Sequence, residues 1–190
     1  MQQNAGRKTL TKYFLVTGSI VLSIILLFAL GVYIFFVLSY PLKYKNTILT
    51  ESAEFGLKPA VVSSVINAES GFNPEAISGS GAVGLMQILP STGEFIADSL
   101  GFDYFETQML LIPETNIEFG CFYLRYLLNK FGDEETAFAA YNAGEGIVKQ
   151  WLKDPAYSAN GVKLHYIPFD ETRNFVSRVL RGIEVYKQKF

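Results

Sequence analysis

From Tyr13 to Leu42 the chain carries no charged residue, and the stretch "FLVTGSIVLSIILLFALGVYIFFVLSY" within it is almost wholly apolar. No other feature limits the possible folds so strongly. Crossing the hydrocarbon core of a bilayer takes roughly 20 apolar residues at a rise of 1.5 Å each, so this stretch spans with some tilt. A cleaved secretory signal is the competing reading, because Ala29, Leu30 and Gly31 place small residues at a cleavage-like spacing. The apolar run continues for about ten residues beyond that point, whereas the apolar region of a secretory signal is about 7–15 residues in all. The length favours an uncleaved anchor. Arg7, Lys8 and Lys12 precede the run, with no acid among the first 50 residues, and Lys43 and Lys45 follow it. The weak positive bias places the N-terminus in the cytoplasm. The expected organisation is a cytoplasmic tail over residues 1–12, a single transmembrane anchor over 13–42, and a domain over 43–190 outside the cytoplasmic membrane.

That domain holds 13 Lys and Arg against 18 Asp and Glu, a net charge of −5, which argues against nucleic acid as a partner. Its punctuation is helical. "YKNTILTESAEFG" suits a short helix stopping at Gly56, and "PAVVSSVINAES" opens on Pro59 and stops before Gly71. Ser91–Glu94 reads as a capping box opening the next helix. "IPETNIEFGCFYLRYLLNKFG" begins near Pro113 and ends at Gly132, with Ile117, Cys121, Leu124, Leu128 and Phe131 along one face. Asp133 and Asp170 read as N-caps of two further helices. Alternating strand patterns are hard to find, so the fold class expected is a mostly α domain behind one membrane helix. The single cysteine, Cys121, falls in the apolar pattern and reads as a small core residue.

Little chemistry is open to such a chain. His165 is the one histidine, and no Cys/His cluster has metal-ligand spacing, so no metal or cofactor is expected. A Ser/His/Asp arrangement would depend on that same histidine, with no nucleophile-elbow motif beside it. Gly79, Gly81 and Gly84 lack the lysine and the preceding strand of a phosphate-binding loop. Carboxylate acid/base chemistry is what remains, and Glu69 is its best-placed candidate. It ends an apolar helical run, where the helix dipole and desolvation both disfavour its charge. A carboxyl kept protonated at neutral pH is what a general acid requires. The competing reading is an ordinary solvated helix-end acid.

The segment "ESGFNPEAISGSGAVGLMQILPSTGEFIA" closely resembles the core motif of the family 1 lytic transglycosylases, lysozyme-like domains related to goose-type lysozyme. "ETNIEFGCFYLRYLLNKFG", "AFAAYNAGEGIVKQWL" and "IPFDETRNFVSRVL" resemble further family segments in the family's order, covering roughly residues 45–187. The resemblance implies a lysozyme-like helical fold. It also implies cleavage of the peptidoglycan bond between N-acetylmuramic acid and N-acetylglucosamine, leaving a 1,6-anhydro sugar. By the same resemblance Glu69 matches the catalytic acid/base, and Ser70 helps to orient the turn after it. Ser78 and Gln87 match substrate contacts, and Met86 reads as core. Tyr141 matches a tyrosine whose hydroxyl lies near the catalytic carboxyl, and Glu171 a second acid lining the cleft. Asn142 matches a substrate contact, with local turn bonding as a rival role. Leu89 departs conservatively from a methionine frequent in relatives.

Two alternatives stay open at this point. A lysozyme-type hydrolase would need a second placed carboxylate, for which Asp98, Asp103 and Glu171 are candidates. A non-catalytic glycan-binding scaffold would have no need of the acid. Peptidoglycan glycan strands and the membrane are the expected partners, with cell-wall synthesis or secretion machinery as a further, unidentified class.

Overall fold

The computed structural model describes residues 2–190, with side chains from Thr17 onward. The expected cytoplasmic tail therefore lies outside the residues whose side chains are described. Helix α1 runs Gln2–Ser39, and its stretch Thr17–Ser39 is long and apolar enough to cross a membrane, with none of it buried in the protein. A hydroxyl in so apolar a helix has to be satisfied locally, and Ser23 Oγ donates to the Ser19 carbonyl at 2.9 Å. The helix stops three residues short of the expected anchor boundary at Leu42. Tyr40 and Leu42 are instead half-buried against the core of the second compact unit, Tyr40–Phe190.

That second unit is helical, and its described residues contain no named strand. Helix α2 spans Lys45–Glu54 and α3 Pro59–Ser70. Helix α4 spans Pro90–Leu100, and a 3₁₀ turn, Thr107–Leu111, leads into α5, Pro113–Phe131. Helices α6, Glu134–Ala143, and α7, Glu145–Trp151, are followed by α8, Asp170–Tyr186. Helix α8 packs along α3 and also against α6, while α2 closes over α3 and α5.

Several boundaries fall where proline and glycine put them. Pro59 and Pro113 sit in the first turns of α3 and α5, and Gly71 and Gly132 end them in the left-handed conformation at φ 60° and 68°. Asp133 caps α6 by accepting from Thr136 N at 3.0 Å. Two cap assignments differ. Helix α4 starts one residue before the expected box, at Pro90, and Leu89 at its N-cap offers no side-chain bond. The proline's fixed φ already sets the first turn there. Asp170 is the first residue inside α8 and not its cap; it pairs with Arg173 one turn on. Gly144, at φ 91°, breaks α6 from α7, a division that "AFAAYNAGEGIVKQWL" does not announce. The stripe on α5 is largely core, with Ile117, Cys121, Leu124 and Phe131 buried and Leu128 only half-buried.

Candidate active site

The last turn of α3 carries Glu69, one residue before the helix ends. Its side chain is half-buried and makes no hydrogen bond or ion pair among the described residues. Desolvation by burial is the largest influence on it, offset in part by the Arg178 guanidinium and reinforced by the Glu171 carboxylate. Together they push its pKa up to about 8. The carboxyl is therefore mostly protonated at neutral pH. Arg178 and Glu171 both belong to α8, so the helix that packs along α3 also brings the charges that set the acid's state.

Beyond α3 the chain folds into a tight loop over residues 71–89. Two isolated bridges, Ile77 to Val83 and Val83 to Ile88, pin it into a double turn. Ser70 Oγ donates to the Leu85 carbonyl at 2.7 Å, tying the end of α3 to the loop beside Glu69. From the opposite side Asn116 of α5 holds the loop with its whole amide. Its Oδ1 accepts from Met86 N at 2.7 Å, and its Nδ2 donates to the carbonyls of Val83 at 3.0 Å and Leu110 at 2.8 Å. Met86 is fully buried, its side chain lying over Gly120, where a Cβ would run into its sulfur. Of the glycines in this stretch, Gly84 serves close packing: a Cβ there, at φ 81°, would be driven into Asn116 and the Leu110 carbonyl, whereas Gly79 and Gly81 face open space.

The expected site residues separate into groups. Gln87, Tyr141 and Asn142 come together around a cavity of about 150 Å³, closed by Leu89, Thr92 and Tyr123 among others. Tyr141 is buried, and its hydroxyl donates to the Met86 carbonyl at 2.8 Å. Burial raises its pKa, and Glu69 is close enough to raise it further. The phenol therefore stands beside the acid while its proton is directed to the loop backbone. Gln87, in the left-handed region at φ 48°, donates its amide nitrogen to the carbonyls of Ala76 at 3.0 Å and Gly84 at 2.9 Å. No hydrogen bond engages its Oε1 among the described residues. Asn142 is half-buried and makes no side-chain hydrogen bond among the described residues, so its amide is available to the cavity. Glu171 lies in the first turn of α8, exposed, and reaches Glu69 through its charge. Ser78 is not part of the cavity wall. Its Oγ accepts from Ala82 N at 3.0 Å and pairs with Ser80 Oγ at 2.9 Å, fastening the tip of the loop.

A second groove, of about 220 Å³ and lined by Ser91, Thr92, Phe95, Tyr123, Tyr126 and Glu145, shares Thr92 and Tyr123 with the cavity. Burial alone would raise the Glu145 carboxyl, but hydrogen bonds from Lys130, Lys149 and Tyr126 bring it down to about 2, so it stays charged. A separate surface cavity, about 350 Å³ against Ile167, Arg173 and Leu180, shares no wall with this site. Among the described residues no group of three His, Cys, Asp or Glu side chains is placed to hold a metal. Sequence reasoning did not reach Asn116 or Arg178. An asparagine on the buried face of α5 was a visible signal for the first, whereas the second acts only through the packing of α8 on α3.

The second unit, helical with no named strand among its described residues, is of the lysozyme-like class of folds. The chain belongs to the transglycosylase SLT domain family, whose model matches residues 46–161. It is 38% identical over 151 residues to the soluble lytic murein transglycosylase of Salmonella typhimurium, covering 78% of this chain and 23% of that protein. Against the membrane-bound lytic murein transglycosylase C of Actinobacillus pleuropneumoniae the identity is 28%, over 76% of this chain and 46% of the relative. Among solved structures, an inactive mutant of the lytic transglycosylase Slt from Pseudomonas aeruginosa superposes with a TM-score of 0.69. It is 36% identical, over 79% of this chain and 25% of that one. The 70 kDa soluble lytic transglycosylase of Escherichia coli gives the same TM-score at 32% identity, over 78% and 25%. The chain thus spans about a quarter of the length of its soluble relatives.

Proposed function

We propose that this chain is a membrane-anchored peptidoglycan lytic transglycosylase. The observation that carries the reading is Glu69, a half-buried carboxyl near Tyr141 of the cavity wall, with its pKa raised to about 8 and no hydrogen-bonding partner of its own. In the proposed reaction, Glu69 gives its proton to the oxygen leaving the muramic acid C1 as the C1–O bond breaks. The N-acetyl oxygen of the same sugar stabilises the electron-poor C1, a substrate-assisted route. The 6-hydroxyl of that sugar then bonds to C1 and passes its proton to the Glu69 carboxylate. The acid is restored and a 1,6-anhydro ring closes without water. One acid/base suffices because an internal hydroxyl is held at an effective molarity that solvent does not match. Gln87 Oε1 and the Asn142 amide offer polar contacts for the sugar. Membrane attachment is supported by the apolar helix Thr17–Ser39 and by the membrane-bound relative. The single-pass topology, with the catalytic unit outside the cytoplasmic membrane, follows from the charge bias around that helix.

A hydrolase reading draws on one observation, the Glu171 charge that reaches Glu69. Mass spectrometry of digested peptidoglycan separates the two. Anhydro ends are one water lighter than hydrolysed ends, about 18 mass units, and borohydride does not reduce them. Glycans ending in a reducible sugar would replace the transglycosylase reading with the hydrolase. Intact glycan that is nevertheless bound would replace it with a scaffold.

A further inference from the structure

Resting on the proposed function, we infer that Asn116 is a positioning residue for the acid: its buried amide fixes the backbone from Leu85 to Gln87, which holds the Tyr141 hydroxyl proton away from Glu69. Asn116 is fully buried on α5 and lies outside the cavity wall. It acts on two consecutive peptide units. In the first, Met86 N donates to Asn116 Oδ1 at 2.7 Å, and the Leu85 carbonyl accepts from Ser70 Oγ at 2.7 Å. That unit bridges α5 to the residue beside Glu69. In the second, the Met86 carbonyl accepts from Tyr141 Oη at 2.8 Å, and Gln87 N donates to the Gly84 carbonyl at 3.2 Å. Leu85 and Met86 are both fully buried.

The loop does not keep this shape by local preference. Gln87 sits in the left-handed region at φ 48°, where a residue with a side chain is strained. Such a conformation persists only where its surroundings fix it. Asn116 does so with one acceptor and two donors on a single planar group, all in use. Aspartate would lack both donors, and leucine all three groups. The consequence falls on Tyr141. Its hydroxyl has one proton, and two acceptors compete for it: the Met86 carbonyl and the Glu69 carboxylate, whose charge reaches it. A charged acceptor makes the stronger bond, so the carbonyl wins only while it is held in place. With the proton on the carbonyl, the phenol has only lone pairs left for Glu69, which favours the neutral acid. Arg178 and Glu171 of α8 act on Glu69, and Tyr123 and Cys121 of α5 act on Tyr141. All four belong to helices and not to this loop.

The pH profile of cleavage of soluble peptidoglycan glycan oligomers by the full chain in detergent tests this. Asn116→Ala frees the loop, so Tyr141 turns its proton to the carboxylate. The falling limb of kcat/KM should then move down from about 8 by about one pH unit. The rate loss should accordingly be slight at about pH 6 and about tenfold at about pH 9. Ser70→Ala slackens the same peptide unit from its other side and should move the limb in the same direction; it decides the matter if Asn116→Ala does not fold. Tyr141→Phe removes the contested proton, so adding Asn116→Ala to it should leave the limb unmoved. Leu127→Ala, a buried change elsewhere on α5, controls for lost stability and should keep the wild-type limb. A loss equal at both ends of the pH range in the Asn116 and Ser70 variants would overturn the inference and leave the proposed function standing, as would a limb that still moves in the Tyr141→Phe background. Oligomers left intact by the wild type at every pH would overturn the proposed function, and the inference with it.

Discussion

Glu69 owes its chemistry to an unfavourable position. A carboxyl at the C-terminal end of a helix, half-buried and without a hydrogen-bond donor, is held in its neutral form. Arg178 softens that effect without cancelling it. Glu69→Gln keeps the shape and removes the acid, so turnover should fall by about 10²–10⁴-fold while groove binding of glycan oligomers persists. Variant cleavage at the wild-type rate would exclude Glu69 as the acid/base. The same pKa fixes a pH dependence. Proton donation requires the neutral form, so the wild-type rate should decline as pH rises through about 8. Stability follows the same direction. An acid whose folded pKa is raised above its ordinary value of 4.5 favours the fold below 4.5, and loses that contribution as pH climbs to about 8. In urea unfolding of the full chain in detergent, wild-type stability relative to Glu69→Gln should therefore fall across that window. The expected slope is on the order of 1 kcal/mol per pH unit. A difference that stays flat from pH 4.5 to 8 would show that the acid is ordinary.

The element that gives Glu69 this setting is the pairing of α3 with α8. The two helices approach closely where Gly182 of α8 faces Ser64 of α3, whose buried Oγ donates to the Val179 carbonyl at 2.6 Å. A methyl at Gly182 would collide with that hydroxyl. Gly182→Ala should destabilise the fold by about 1–3 kcal/mol as an overpacked contact, and the loss should shrink in a Ser64→Ala background because the colliding oxygen is gone. Equal losses in both backgrounds would place the strain elsewhere. This contact also marks where the sequence stops being legible. Helices α3 and α5 could be read from Pro59, Gly71, Pro113 and Gly132, because proline and glycine act locally. Asp133 could be read as a cap for the same reason, while Asp170 could not, since a first-turn acid and a capping acid look alike without backbone angles. The division of α6 from α7 rests on one positive φ at Gly144. The influence of the Arg178 charge on Glu69 depends on helices more than a hundred residues apart in sequence, and no local pattern encodes it.

At the scale of the molecule, the two units were legible to different depths. The apolar run fixes α1 by composition alone, yet the helix ends at Ser39, three residues before the uncharged run does, because Tyr40 and Leu42 are apolar for a different reason. They belong to the core of the second unit, where Tyr186 holds Pro41. Hydropathy does not distinguish a residue buried in lipid from one buried in protein. Gln87 and Ser78 show the same limit in the site: the motif names both, but only the folded loop reveals that Ser78 and the Gln87 amide nitrogen are engaged in holding the loop itself. Attachment to the membrane is the most consequential property at this scale, since it decides whether the second unit works at the bilayer or free of it. The 23-residue stretch Thr17–Ser39 is strongly apolar and unburied within the protein. Exposing that surface to water is unfavourable by roughly 25 cal/mol per Å² of apolar area, far beyond what salt can offset. Fractionated cells should therefore hold the intact chain in the membrane pellet, retained through high salt and released by detergent. A shortened soluble form beginning near residue 32 would show instead that the run is a cleaved signal, and that the catalytic unit diffuses free of the membrane.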